Sequence, residues 1–403
     1  MSNAQDVSFL DLITPHRELE PELISVFQAA LRSAGFVGGS MVADFERDFA
    51  RFCDVTDCVG VSSGTDALRF ALIAAGVGSG EIVITVPNTF IATVEAISQA
   101  GGRTVFVDVC QDTYNLDPEK LREYLEKQCA SDSAGKLMDR KTGAPVSAIV
   151  PVHLYGQMAD MDAILDLASR YNLIVIEDAC QAHGAQYFSE KENRWRTAGS
   201  MGNAAAFSFY PGKNLGACGE AGAVATNDPE IVQRVRMLRD HGQARKYFHD
   251  MEGYNGRLDA IQAGLLSVKL RHLANWNQAR RDRADTYNEL FKPMAKWVTT
   301  PVEPSWSRAV YHLYVIRTQD REGLQQRLQD KGIGTGIHYP VPLHLQKAYC
   351  SLGYGAGDFP VSEQITAEIL SLPMYPQLRK EQQQFVSEEV INFVSARGSL
   401  ARG

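Results

Sequence analysis

Three groups of reactive residues follow one another along the chain, each beside a short apolar run. The sharpest is Lys213, in the stretch Phe207–Gly222 (FSFYPGKNLGACGEAG), apolar before the lysine and glycine-rich after it. The nearest acid is Glu220, seven positions on. Desolvation in such a setting depresses a lysine pKa and yields the free amine that condenses with an aldehyde. An ordinary surface lysine is the competing reading of this stretch by itself. A second group, Glu177-Asp178-Ala179-Cys180-Gln181, ends the apolar run Leu173–Ile176. A carboxylate buried there needs a cationic partner, and no Lys or Arg lies near Asp178 in sequence. A protonated pyridine nitrogen would serve; an Asp that caps the next helix is the alternative. The third group, Ser62-Ser63-Gly64-Thr65-Asp66, joins a strand to a helix. A helix start there is an anion site, where Gly64 admits a phosphate close to the backbone. N-capping by Ser63 or Thr65 is the simpler reading.

The elements that must position these residues alternate between two periods. Strand patterns are read at Cys58–Val61, Ile82–Val86, Thr104–Val107, Ala148–Val152, Leu173–Ile176, Ala204–Phe209 and Gly222–Thr226. Helical patterns intervene at Asp66–Leu72, Ile91–Gln99 and Met161–Tyr171. The alternation predicts an α/β fold with a mostly parallel, seven-stranded sheet flanked by helices. Open sheets of this kind place ligands at the carboxyl ends of their strands, where all three groups fall. The polar segment 129–144 reads as an exposed loop insertion. Beyond Tyr254 the texture changes to an amphipathic run, Leu258–Leu273, and an arginine-rich run, Gln278–Leu290. A strand at Leu313–Arg317, a helix at Arg321–Lys331 and a Pro-rich turn at Ile337–Leu343 follow. Residues 1–255, including a short N-terminal arm, are expected to form a large α/β domain, and 256–403 a smaller α+β domain.

Composition narrows the function classes. With 403 residues, 45% hydrophobic and 22% charged, the chain has the makeup of an ordinary globular protein. A net charge of −8 without a basic cluster argues against a nucleic-acid binder. No apolar run reaches the roughly 18 residues of a membrane span, and Met1–Leu10 lacks a signal pattern. Seven cysteines without metal-ligand spacing fit reduced thiols, so a cytoplasmic protein with no metal site is expected. No Gly-x-Gly-x-x-Gly follows the first strand, which removes the fingerprint of a nicotinamide oxidoreductase.

A phosphate site, a strand-end Asp and a lysine shortly after the hydroxyl of Ser208, in that order on one sheet, resemble a pyridoxal phosphate site. With Phe36–Gly39, Pro87–Phe90, Pro151–Gln157 and Gly253–Asp259, the motifs resemble the DegT/DnrJ/EryC1/StrS family of nucleotide-sugar aminotransferases, fold-type I enzymes, over nearly the whole chain. The resemblance implies pyridoxal 5'-phosphate (PLP) as cofactor and Lys213 as the Schiff-base lysine and proton carrier. It implies that Asp178 pairs with the ring nitrogen, Phe90 stacks on the ring, and Gln181 lies near its phenolic oxygen. Gly64, Thr65 and Ser208 would hold the phosphate, with Asn255 reaching in from the partner of a homodimer with shared active sites.

Two departures accompany the resemblance: Ala221 stands where the family has a glycine, and the 129–144 insertion is long. A family branch with histidine in place of the lysine dehydrates; Lys213 favours transamination. Asp240–Gln243, Lys246–Tyr247 and Ile337–Gln346 are most similar to members that aminate C3 of a nucleotide-linked keto sugar, with L-glutamate as the usual amino donor. His338 and Tyr339 are candidate sugar or diphosphate contacts, and Lys246 a candidate nucleotide contact; packing of a turn and a solvated lysine are the alternatives. A 4-keto substrate and a non-catalytic regulatory protein are the competing functions.

Overall fold

The computed structural model describes residues 6–400, so the first five and the last three residues of the chain lie outside it. All seven expected strands form: β1 Asp57–Val61, β2 Ile82–Thr85, β3 Arg103–Phe106, β4 Val146–Ile149, β5 Ile174–Asp178, β6 Ala204–Ser208 and β7 Gly222–Thr226. They lie side by side in the order β1-β7-β6-β5-β4-β2-β3. Every pairing from β6 to β3 is parallel, whereas β7 runs antiparallel to both β1 and β6. The sheet is therefore mostly parallel and covered on both faces. This is why its strands read as continuous apolar runs rather than as alternating ones.

Small residues set how closely the layers meet. The first four residues of β6, Ala204–Phe207, are buried. The helix α1 (Gly64–Ala74) buries Leu68, Phe70 and Leu72 in the same cluster as Ala204, Ala206 and Val224. On the other face Phe49 meets Phe207 and Phe209 edge-on, with ring centroids 5.0 and 5.1 Å apart.

One expectation is made definite and one changes. The runs Leu258–Leu273 and Gln278–Leu290 belong to one 32-residue helix, α2 (Ala260–Phe291). The residues between them, Ala274-Asn275-Trp276-Asn277, include no Gly or Pro to break it. Segment 129–144 is not a plain loop: Cys129–Ser131 and Leu137–Asp139 pair as an antiparallel hairpin. Buried Cys129 and Leu137 anchor it, and the Tyr124 hydroxyl donates to Asp139 at 3.0 Å. The polar tip masked those anchors in the sequence.

A separate cluster gathers Tyr287, Phe291, Tyr314, Leu324, Leu328 and Val390, and Val7 of the N-terminal arm joins it. Strand Tyr314–Arg317 pairs antiparallel with Ile369–Leu372, and the helix Arg321–Asp330 follows. Among the described residues no helix is long and apolar enough to cross a membrane.

Candidate active site

A cavity of about 600 Å³ opens at the carboxyl ends of β5 and β6, and Lys213, Asp178, Gly64, Thr65 and Ser208 all line it. The sheet thus brings together residues from three separate stretches.

Lys213 stands on the loop between β6 and β7. The loop closes on itself: the Lys213 amide donates to Tyr210 O at 2.8 Å, and the Ala217 amide to Phe209 O at 2.7 Å. A Cβ at Gly216 would lie 2.3 Å from Pro211 O, so only glycine permits this return. Burial pulls the Lys213 ammonium below its ordinary pKa, against the opposing influence of Cys180 and Asp178.

Asp178 ends β5, buried and held at both oxygens. Thr93 Oγ1 donates to Oδ2 at 2.8 Å, and the Cys180 amide to Oδ1 at 3.3 Å. Thr93 in turn meets the Thr89 hydroxyl at 2.9 Å. Next door, Glu177 is fully buried and accepts from His153 Nε2 at 2.8 Å and from the amides of Gly199, Met201 and Gly202 at 2.6–2.8 Å. Burial opposes its charge, yet these donors hold its carboxyl below the ordinary carboxylate pKa. His153 Nδ1 accepts from the Ala159 amide at 3.2 Å, so its proton sits on Nε2, facing Glu177. This pair and the bonds from Asp178 N to Pro151 O (2.9 Å) and from His153 N to Asp178 O (3.0 Å) fix the end of β5.

The start of α1 is capped and still leaves two amides at the cavity. Ser63 is the N-cap, its Oγ accepting from the Asp66 amide at 3.1 Å. That cap does not use the amides of Gly64 and Thr65, which begin the helix at the cavity wall. A Cβ on Gly64 would lie 2.5 Å from Ser208 Cβ. The glycine is thus required by the approach of α1 to β6, a constraint not legible in the sequence.

Around the rest of the cavity, Phe90 is 51% exposed, and its ring centroid lies 5.5 Å from that of Tyr339. Gln181 accepts from the Tyr155 amide at 2.7 Å and donates to the Tyr339 hydroxyl at 3.2 Å. His338 Nδ1 meets Ser371 Oγ at 2.8 Å, and its ring stacks on Phe9. Burial first, then the Lys213 charge, lowers the His338 pKa to about 4, so it is neutral at pH 7. Ala221 is buried with its carbonyl accepting from Phe209 N at 2.8 Å, and the departure from glycine leaves the lysine loop intact.

Sequence reasoning missed Thr93, Thr89 and His312. Thr93 and Thr89 are an i, i+4 pair just after Pro87-Asn88, a hydroxyl-bearing spacing that could have marked them. For His312 no local signal exists: it comes from a distant segment to line the cavity. Asn214 Nδ2 donates to Asn277 Oδ1 at 3.0 Å and to Val310 O at 3.1 Å, so its Oδ1 must accept from His312 Nδ1 at 3.2 Å. His312 Nε2 is then left as an acceptor.

Two expected residues stand outside this chain's cavity. Lys246 is exposed on the turn between the paired strands Gln243–Arg245 and Phe248–His249. Asn255 is exposed, accepting from Arg257 at 2.6 Å.

Known proteins agree with this geometry. A "Pleiotropic regulatory protein" of Geobacillus stearothermophilus is 42% identical over 96% of this chain and 98% of its own length. The dTDP-3-amino-3,4,6-trideoxy-alpha-D-glucose transaminase of Streptomyces venezuelae is 40% identical, over 93% of each chain. The crystal structure of S. venezuelae DesV in complex with a ketimine intermediate superposes with a TM-score of 0.89 at 38% identity, covering 97% of this chain and 99% of that one. Residues 17–391 match a single family over nearly the full length. With the lysine, the strand-end carboxylate and the helix start around one cavity, the chain belongs to the DegT/DnrJ/EryC1/StrS aminotransferase family.

Proposed function

We propose that the chain is a PLP-dependent aminotransferase that moves an amino group from an amino acid, L-glutamate, to C3 of a nucleotide-linked keto-deoxysugar. The observation that carries this reading is the convergence of Lys213, Asp178 and the start of α1 on one cavity. The residues fit the group. A lysine with a lowered pKa suits its aldehyde, a held carboxylate suits a pyridinium nitrogen, and a helix start beside the Ser208 hydroxyl suits its phosphate.

When bound, PLP supplies an aldehyde that condenses with amines and a ring that takes up the electron pair of the bond being broken. Lys213 would hold it through its side-chain amine, and as a free amine it would be the group that moves a proton in the site. Asp178, aligned by Thr93, would face the ring nitrogen and favour its protonated form. Gly64, Thr65 and Ser208 would hold its phosphate, with Phe90 and Gln181 lining the place its ring would take. His338 and Tyr339 meet the sugar or diphosphate. The chain works as a homodimer in which Asn255 of one protomer completes the phosphate site of the other, and Lys246 contacts the nucleotide. Exposure of Asn255 and Lys246 away from their own cavity supports that arrangement. We also place the division between a large domain, 1–255, and a smaller one, 256–403, near the start of α2, and the protein in the cytoplasm.

A regulatory role has in its favour the name of the Geobacillus relative. One experiment separates the readings. The absorbance of purified protein loaded with PLP is followed on adding L-glutamate, then on adding 3-keto and 4-keto sugars linked to dTDP or UDP. Conversion to the amino form by glutamate and its reversal by a 3-keto sugar is the expected result. Reversal only by 4-keto sugars overturns the C3 assignment, and no response to glutamate or any other amino acid overturns transamination.

A further inference from the structure

Five residues beyond Lys213, Cys218 is one of two exposed cysteines, with Cys350. Its Sγ lies 3.5 Å from His16 Nε2 and 3.9 Å from Lys269 Nζ, and these two basic groups are 2.8 Å apart. The three groups form one cluster outside the 600 Å³ cavity, although His16 and Lys269 line a smaller neighbouring pocket together with Lys213. Cys218 is clamped there. Its amide donates to Gln262 Oε1 at 2.8 Å, and Gln262 Nε2 donates back to its carbonyl at 3.3 Å. Gln262 and Lys269 are separated by about two turns of α2, so both project from the same helix face.

The hydrogen bonds assign the protons. His16 Nδ1 donates to Leu12 O, which leaves Nε2 as an acceptor. Lys269 Nζ donates to that nitrogen and to Gly216 O at 2.7 Å. Lys269 is only 4% exposed. Burial pulls its ammonium below the ordinary lysine pKa, against the opposing influence of Cys218. A solvent-facing thiol thus stands beside an amine that is already in contact with a proton acceptor.

Peroxides oxidise accessible thiols to sulfenic acids, whose sulfur condenses with a second thiol or with nitrogen. We propose that Cys218 and Lys269 form a sulfur–nitrogen cross-link when hydrogen peroxide oxidises the thiol, with His16 carrying the proton. In the first step the sulfur gives two electrons to the peroxide O–O bond, producing Cys218–SOH and water. In the second, the Lys269 ammonium passes a proton through His16 Nε2 to solvent, and the free amine attacks the sulfenic sulfur. The S–N bond forms as the S–O bond breaks, and the departing hydroxide takes a proton from the nitrogen and leaves as water. The protein has lost two hydrogens, and the loop that carries Lys213 is tied covalently to α2. Two equivalents of an added thiol reverse the link, regenerating thiol and amine and yielding the added thiol's disulfide.

The test treats the full-length holoenzyme with hydrogen peroxide and reads intact mass and non-reduced peptide maps. An unhindered thiol peptide in the same tube reports that the dose is oxidising. The expected product has lost two hydrogens, joins the Cys218 peptide to the Lys269 peptide, reverts with dithiothreitol and is absent from Cys218→Ser. Cys350 gains oxygen without a link. His16→Phe still oxidises Cys218 but forms the link about a hundredfold more slowly, the lower end of a general-base contribution. The proposal is overturned if Cys218 stops at an oxygen adduct or a disulfide, or if it stays unmodified while the reporter peptide is oxidised.

Discussion

Replacing Thr93 by Val tests whether the alignment of Asp178 matters to the chemistry. The side chains are nearly isosteric, so the change deletes a hydroxyl at small cost in packing. That hydroxyl donates to Asp178 Oδ2 at 2.8 Å, and Thr93 and Asp178 are both buried. A hydrogen bond to a charged group is worth about 1.5–3 kcal/mol, and about 1.4 kcal/mol is a factor of ten. The Thr89 hydroxyl, 2.9 Å from Thr93 Oγ1, loses its partner as well. Loss of the alignment is therefore expected to slow the half-reaction with L-glutamate by about ten- to a hundredfold. Thr93→Ser keeps the hydroxyl and should stay within a few-fold of the unaltered protein. The assay is stopped-flow absorbance at saturating cofactor, with denaturant unfolding of each variant to separate stability from chemistry. Equal rates for the Val and Ser variants, at equal cofactor occupancy, would refute the reasoning.

Borohydride reduction of the loaded protein followed by peptide mapping should place the cofactor adduct on Lys213; an adduct on another lysine overturns the assignment. Because the Lys213 pKa lies below the ordinary 10.5, the rate at which apoprotein captures PLP should level off at a pH below that value, as read by absorbance. Lys213→Ala chains mixed with Asn255→Asp chains, each inactive alone, should regain activity on subunit exchange, since one site of the mixed dimer carries neither defect. No recovery despite confirmed exchange counts against the shared site. Glu177 has its pKa lowered from 4.5 on folding, so its stabilising contribution is complete above that value and is lost as pH falls through the folded-state value. Glu177→Gln should therefore flatten the acid limb of stability against pH, measured by denaturant titration.

The sheet was legible because its strands are buried on both faces and read as short apolar runs, from Cys58–Val61 to Gly222–Thr226. The Lys213, Asp178 and Ser63–Thr65 stretches were legible because each combines a reactive group with an apolar or glycine signal within a few residues, and the local chain places them at strand ends. Segment 129–144 was not legible as a hairpin because its anchors, Cys129 and Leu137, find their burial against distant parts of the core. The texture of α2 changes along its length because the buried face of so long a helix changes partners, turning from the sheet at Leu266 to the C-terminal core at Tyr287.

By itself, then, the sequence determined which residues could do chemistry and that a layered α/β fold would carry them, since propensity, hydrophobic period and glycine placement act over a few positions. The tertiary structure decided which side chains stand behind them. Thr93 on Asp178, His153 on Glu177, His312 through Asn214, and Lys269 beside Cys218 are pairings across 24 to 98 residues of chain. Such contacts depend on how the strands are ordered and how closely α1 and α2 approach them, and no local pattern encodes that distance.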